Sequence, residues 1–197
     1  MSKKINIEFN SLKENIIDNE FNSSIELETS IKSINDIQEE EVEISERLKQ
    51  ISKSISIILK KIIEINSKKN DNLTNDIFNT ISIPEISIYD YIIRIISYSN
   101  CDENILISSL VYFDKIGKIK KITYSNVYKI LFTSILLSLK YNEDEIFNND
   151  YYSEIAGVSK RELKQMEYEY FVLLNFNLHI EEELFELFKN ALDNFKA

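Results

Sequence analysis

The fold of this chain is built on the segment Ile130-Leu131-Phe132-Thr133-Ser134-Ile135-Leu136-Leu137, which is apolar on nearly every side. A helix that is hydrophobic all round belongs inside a protein, because each of its faces needs an apolar neighbour. The small side chains of Thr133 and Ser134 allow neighbouring helices to approach closely. We therefore predict a central helix that begins at Ser125 and runs through Lys140.

The rest of the chain is also predicted to be helical. The sequence has only two glycines and one proline, whereas folds rich in tight β-turns usually need more of both. Isoleucine favours strands, but its spacing here follows three and four residues, which is the helical period. The capping residues Ser87, Asp102 and Ser159, with Gly117 and Gly157 placed just past helix ends, predict flanking helices. These run over residues 87–98, 102–115, 149–156, 159–174 and from 181 onward.

An apolar seam precedes these helices and follows a heptad spacing over residues 34–65. Its members are Ile34, Ile37, Ile44, Leu48, Ile51, Ile55, Ile58, Ile62 and Ile65. Such a seam indicates either a coiled coil, which would form a homodimer through 34–65, or a long helix laid along the domain that follows. We favour the second interpretation, because Val42 and Leu59 widen the apolar stripe.

Three segments are expected along the chain. Residues 1–30 are polar without a sustained pattern and predict a flexible tail. Residues 31–80 form a long amphipathic helix and a linker. Residues 81–197 form the main helical domain with a C-terminal helix, entered through Pro84.

Charge and composition narrow the classes of partner and compartment. The net charge of -10 and a pI near 4.8 argue against nucleic-acid and membrane partners. The single cysteine, Cys101, cannot close an internal disulfide. No apolar segment follows Met1, and no run reaches the ~18 residues of a membrane span. We expect an intracellular protein, cytoplasmic, nuclear or both.

Catalytic patterns are absent from the sequence, so we do not expect an enzyme. The lone His179 has no nucleophile elbow, phosphate loop or Cys/His metal spacing near it. The acidic runs Glu143-Asp144-Glu145 and Glu181-Glu182-Glu183 lack the spacing of an EF-hand and are typical of solvated charge. We predict no catalytic residue, no metal site and no cofactor.

Four charged residues interrupt apolar helical faces: Arg94, Asp114, Lys140 and Glu167. Glu167, for example, shares one stripe with the residues four before and four after it, both of which are apolar. Buried charges are costly unless they are paired. Two cations and two anions on different segments therefore predict two pairings across helices.

Residues 84–178 resemble a cyclin box, and among cyclins they are most similar to the single-box P/U type found in phosphate-responsive signalling. The resemblance lies in the order and spacing of short motifs. These are Pro84-Glu85-Ile86-Ser87-Ile88, Tyr91-Ile92-Ile93-Arg94-Ile95, Tyr98-Ser99-Asn100-Cys101, Leu110-Val111-Tyr112-Phe113-Asp114-Lys115, Ile122-Thr123-Tyr124-Ser125-Asn126-Val127-Tyr128-Lys129, Leu139-Lys140, Asn148-Asn149-Asp150-Tyr151-Tyr152, Ala156-Gly157-Val158-Ser159 and Glu162-Leu163-Lys164-Gln165-Met166-Glu167.

The resemblance implies an all-α fold, with a single box of five helices around a central apolar helix and a long N-terminal helix beside it. Lys140 and Glu167 match the lysine and glutamate with which cyclins hold the main chain near the C-helix of their kinase. Arg94 and Asp114 match a buried ion pair that ties the first box helix to the second. Two further residues, Phe147 and Tyr151, are expected to add apolar contact area for the kinase.

Some positions depart from the P/U pattern. Tyr128-Lys129 stands where the pattern usually has His-Arg, and Ala156-Gly157 where it has Gly-Gly. The chain has no tryptophan, and Asn100 occupies the place where some cell-cycle cyclins carry the tryptophan of a substrate-docking patch. We therefore do not predict that patch.

The function expected from the resemblance is regulatory. It implies a subunit that binds and activates a cyclin-dependent protein kinase. The alternative is a cyclin-box adaptor or scaffold that binds a protein partner without activating a kinase.

Overall fold

The computed structural model describes residues 43–67, 76–80 and 82–195, and the regular secondary structure within these ranges is all helical. Seven helices and no strand occur within these ranges, which confirms the predicted fold class. The helices are α1 (Glu46–Ser67), α2 (Ile88–Tyr98), α3 (Glu103–Gly117), α4 (Val127–Asn142), α5 (Asn149–Ala156), α6 (Lys160–Leu173) and α7 (Glu182–Asp193). The described residues from Ile44 onward belong to one compact unit.

Helix α4 lies at the centre, and its residues from Val127 to Leu139 are buried with the exception of Lys129. It packs against α3, α6 and α5. The polar atoms of this buried helix have partners, since Ser138 Oγ donates to Ile105 O at 3.0 Å and Ser134 Oγ shares a hydrogen bond with Tyr170 OH. A helix with apolar residues on every side is stable in this position because water reaches almost none of it.

Side-chain caps fix where several helices begin. Ser87, Asp102, Asn148 and Ser159 each accept a hydrogen bond from the backbone N–H three residues later. Each cap satisfies a donor that the first helical turn leaves unpaired. At the other end of α5, Gly157 adopts a left-handed φ of 71° and closes the helix.

Two predicted helix ends are corrected by the structure. Helix α4 begins at Val127 after Asn126, not at Ser125. Asn126 instead closes the preceding loop, where its amide accepts from Thr123 N and donates to Lys121 O, both at 2.9 Å. Helix α3 continues through Gly117, so this glycine lies inside the last turn and not beyond it.

Helix α1 packs its apolar face on α2 and α3. Ile51, Ile55, Leu59 and Ile63 are each at most 2% exposed, and burying one such side chain contributes about 1.5–3 kcal/mol. Arg47, at the start of α1, forms ion pairs with Glu103 of α3, at 2.8 Å, and with Asp193 of α7. The predicted flexible tail, 1–30, and the start of the seam at 34 and 37 lie outside the described residues.

The C-terminal helix α7 packs on the core through one face. Leu192 is buried, and Phe185 and Phe188 pack against the core, whereas Leu187 is 62% exposed. None of the helices over the described ranges combines the length and apolar content needed to cross a bilayer.

Candidate partner-binding site

Lys140 and Glu167 form an ion pair between two helices. Lys140 lies in the last turn of α4, and Glu167 lies midway along α6. Their side chains are 23% and 13% exposed, so the pair sits at the surface with its edge open to solvent. The pairing therefore joins the central helix to α6 at a point where another molecule can reach it.

Asn149, the first residue of α5, completes a closed ring of hydrogen bonds with this pair. Lys140 Nζ donates to Asn149 Oδ1 at 2.6 Å, and Asn149 Nδ2 donates to Glu167 Oε2 at 2.8 Å. Sequence reasoning missed this residue. Asn149 directly follows the cap Asn148, and no spacing in the sequence distinguishes an amide that turns toward a neighbouring helix from one that faces water.

The ring leaves hydrogen-bonding capacity unused. A lysine ammonium has three donors, and within the ring two of them are used, by Glu167 and Asn149. Each carboxylate oxygen of Glu167 accepts one bond there and has a second lone pair. The site thus presents one charged donor and charged acceptors side by side, in an orientation that Asn149 fixes. This arrangement suits the exposed N–H and C=O groups at the end of a partner's helix.

Of the predicted contact residues, Phe147 precedes α5 and Tyr151 lies in its first turn, and their side chains touch each other. Their ring centroids are 4.4 Å apart, Phe147 is 43% exposed, and Tyr151 is half-buried. Burial raises the pKa of the Tyr151 phenol, with smaller contributions from Tyr98 and Glu154. The phenol is therefore a neutral hydroxyl near pH 7. The rings of Phe147 and Tyr151 form an aromatic surface next to Asn149.

A second aromatic group lies along the outer face of α6. Tyr168 is 62% exposed, and Val172, one helical turn further on, is 39% exposed. Phe171 follows Glu167 by one turn and stacks on Phe176, with ring centroids 6.3 Å apart and planes 20° from parallel. Exposed apolar side chains therefore accompany the ion pair along α6 as well as beside α5.

The backbone after α6 is strained where it presents Phe176. Asn175 and Phe176 both have left-handed φ values, 52° and 57°. This conformation costs about 1–2 kcal/mol per residue for residues other than glycine, although asparagine tolerates it better than phenylalanine. Phe176 N donates to Phe171 O at 2.8 Å, and the ring nevertheless stays 67% exposed. The turn thus holds the Phe176 ring largely in solvent, stacked on Phe171.

The predicted buried pair of Arg94 and Asp114 is wrong. Arg94 is exposed on α2 and its Nη2 donates to the carbonyl of Glu154 at 3.2 Å. Asp114 pairs at 2.7 Å with Lys118, the C-cap residue of the same helix one turn further on, and is 46% exposed. Each side chain stays in solvent beside a nearer partner, Arg94 at the carbonyl end of α5 and Asp114 on its own helix. Neither position therefore requires burial of a charge.

The more deeply placed lysine is Lys129, where the P/U pattern usually has arginine. Its side chain is 14% exposed and pairs at 2.7 Å with Glu162 of α6. Lys129 Nζ also donates to Ile77 O and Asn79 O at 3.0 and 2.9 Å. Because this ammonium is occupied with holding residues 76–80 to the central helix, its role is structural.

The one histidine and the one cysteine of the sequence differ in exposure. His179 is 63% exposed and lies 3.4 Å from Glu181. No cluster of three or more His, Cys, Asp or Glu side chains suited to a metal ion occurs over 43–67, 76–80 and 82–195. Cys101 is buried, and burial raises the pKa of its thiol, which keeps it protonated and unreactive.

Comparison with known proteins gives a consistent family. A family model described as Cyclin matches residues 28–178. Cyclin-U4-3 of Arabidopsis thaliana is 30% identical over 152 residues, which cover 74% of this chain and 69% of that protein. Cyclin-U3-1 of the same plant is 33% identical over 127 residues, or 61% and 58% of the two chains. Cyclin-P3-1 of Oryza sativa subsp. japonica is 26% identical over 141 residues, or 66% and 60%. This chain belongs to the cyclin family, as a cyclin-box protein of the P/U type.

Proposed function

We propose that this cyclin binds a cyclin-dependent protein kinase and activates it, and that the ring of Lys140, Glu167 and Asn149 is the polar centre of the kinase-binding surface. The observation that carries the proposal is the ring itself, a half-open ion pair with unused donors and acceptors between two groups of exposed aromatic side chains. Family membership supports a regulatory role, since cyclins act through a partner kinase.

The arrangement resembles the organisation of other protein interfaces. Stable interfaces combine aromatic anchors with a few polar groups that fix register, and they bury roughly 800 Å² on each partner. Here Phe147 and Tyr151 lie on one side of the ring, and Tyr168 and Phe176 lie along α6. Together they supply apolar area on a face whose polar centre is already oriented.

Activation would follow from a shift in the population of kinase conformations. In the inactive kinase the C-helix is turned away and the catalytic lysine–glutamate pair is not formed. A cyclin that binds only the inward conformation stabilises it by the difference in binding free energy. Moving the equilibrium from 1:99 to 99:1 takes about 5.5 kcal/mol of preference, which a standard interface can supply. The cyclin itself performs no chemistry.

The test is recovery of partners from the source cell with the tagged chain, followed by mass spectrometry and a kinase assay. The native chain is compared with a Lys140→Ala, Glu167→Ala variant. A matched control, Asp114→Ala with Lys118→Ala, also removes one anion and one cation, but from the exposed pair on α3. Circular dichroism and thermal unfolding establish that all three chains fold.

The proposal expects a cyclin-dependent kinase, with activity, bound to the native chain and to the control but lost from the ring variant. If other proteins bind while no kinase is recovered, the adaptor function replaces the proposed activation of a kinase. Equal kinase recovery with all three chains would place the kinase contact elsewhere on the molecule.

A further inference from the structure

A groove lies apart from the aromatic groups described above, between α3, the end of α4 and the start of α7. Its volume is about 530 Å³, which is within the range of clefts that bind ligands. Ser108 and Tyr112 of α3 line it together with Tyr141, Ile180 and Phe185. Apolar rings and a single aliphatic side chain thus form much of its lining.

Ser108 gives this groove an unused polar group. The residue is only 6% exposed, and its hydroxyl has no hydrogen-bond partner among the described residues. The hydroxyl of the adjacent Ser109, in contrast, donates to Leu106 O at 2.7 Å. No fully enclosed side-chain nitrogen or oxygen in the described ranges lacks a partner, so the Ser108 hydroxyl opens into the groove that its residue lines.

Asn142, an exposed residue at the end of α4, lines the same groove and adds a second unused polar atom. Its Nδ2 donates to Ser138 O at 2.8 Å, which leaves the Oδ1 acceptor directed away from that bond. Tyr112 OH, by comparison, is occupied by Leu178 O at 2.7 Å. A hydroxyl and an amide oxygen without partners in one partly apolar groove are suited to the backbone groups of an extended peptide.

Carboxylates line the groove at the start of α7. They belong to Glu181 and Glu182, and Glu183 follows them. Among the described residues, only Glu181 of these three acids has an ion-pair partner, His179 at 3.4 Å. Lys115 reaches the His179 carbonyl at 3.5 Å, so one cation lies nearby, but the carboxylates outnumber it. The excess negative charge repels phosphate-bearing ligands and favours cations.

We propose that this groove is a docking site for a basic segment of another protein, in which an apolar side chain is flanked by lysine or arginine. The apolar side chain would lie between Tyr141, Ile180 and Phe185, and the cations would meet Glu181 and Glu182. Ser108 and Asn142 would bond the peptide backbone. This binding is independent of the kinase proposal, because it uses other residues and is measured on the cyclin alone.

The test uses a fluorescein-labelled probe peptide, Gly-Lys-Phe-Arg-Ile-Lys-Gly, titrated with the 197-residue cyclin chain and followed by fluorescence anisotropy. A probe with glutamine in place of lysine and arginine, and one with glycine in place of the two apolar residues, show which chemistry is recognised. The groove variants are Glu181→Gln with Glu182→Gln, and Ser108→Ala. The matched control is Glu64→Gln with Glu85→Gln, which removes the same charge from exposed positions outside the groove. Circular dichroism verifies that every variant is folded.

The expected result is saturable binding of the basic probe. The Glu181→Gln, Glu182→Gln variant should weaken it about fivefold or more, since two exposed charge contacts are lost, and the control should stay within about twofold. Ser108→Ala should weaken it as well, and both altered probes should bind less tightly. Absence of saturation overturns the proposal. An equal loss of probe affinity in the groove variant and the control also overturns it, because the binding would then depend only on the net charge of the cyclin.

Discussion

At the scale of single residues, the ring around Lys140 shows how a charged side chain can be fixed in one orientation and still be accessible to a binding partner. An exposed lysine would lose side-chain entropy on binding a partner, and a fully buried one would be out of reach. Glu167 and Asn149 fix the ammonium in place while its edge stays open. The uncharged Asn149 is therefore as important to this ring as the two charged residues, and the first prediction concerns it.

Asn149→Ala should lower the free energy of unfolding by about 1–3 kcal/mol, because a lysine and a glutamate each lose a partly buried hydrogen-bond partner. Urea denaturation monitored by circular dichroism measures this change. The control Asn190→Ala, on the exposed side of α7, should stay within about 0.5 kcal/mol of the native chain. Equal values for the two variants would show that the ring contributes nothing to the fold.

Phe176 provides a residue whose contributions to stability and to binding should separate. Phe176→Gly removes the stack on Phe171, worth about 0.5–1.5 kcal/mol, but also relieves a left-handed strain of about 1–2 kcal/mol. The free energy of unfolding should therefore change little. Affinity for the partner kinase, measured by surface plasmon resonance, should fall about tenfold or more if the ring is an interface anchor. Asn175→Gly relieves strain without removing a ring and should bind as the native chain does. Native-like kinase affinity of Phe176→Gly would remove Phe176 from the interface.

At the scale of helices, the sequence predicted features that depend on neighbouring residues, such as caps and helix positions. It did not predict contacts between side chains and groups that are distant in the sequence. The caps at Ser87, Asp102 and Ser159 were readable because the side chain and the N–H that it accepts from lie three residues apart. The central helix was readable because its apolar character extends to every side. The partner of Arg94 was not, since the Glu154 carbonyl lies 60 residues away and only the packing of α2 beside α5 brings it close. Asn149 was missed for the same reason.

The two glycines test the ends of α3 and α5 with opposite signs. Gly157→Ala should lower the free energy of unfolding by about 1 kcal/mol, because φ there is 71° and an alanine would be strained. The new Cβ would meet nothing within 4 Å, so the backbone alone accounts for the cost. Gly117→Ala should raise the free energy by about 0.5 kcal/mol, since this position is helical and its Cβ would lie 3.9 Å from Ile122. Thermal unfolding of both variants gives the sign, and a gain in both would contradict the assigned backbone conformations.

At the scale of the whole molecule, the box and α1 share one core. The apolar face that could have joined two chains is used within one chain, where Ile55 and Leu59 are each 1% exposed. The same seam leaves Ile65 66% exposed at the end of α1. A face cannot be buried twice, so packing on α2 and α3 competes with a coiled coil through residues 46–65.

This competition gives the last prediction. Ile55→Ala should lower the free energy of unfolding by about 2–5 kcal/mol, whereas Ile65→Ala should change it by less than about 0.5 kcal/mol. The effect should not depend on protein concentration, and light scattering should give a mass near 23.2 kDa. A coiled-coil dimer would behave differently on each count: the midpoint of unfolding would rise with concentration, the mass would double, and Ile65 would matter as much as Ile55. Because Ile55 and Ile65 lie on one helix and undergo the same substitution, a difference between them reports burial in the core of a single chain.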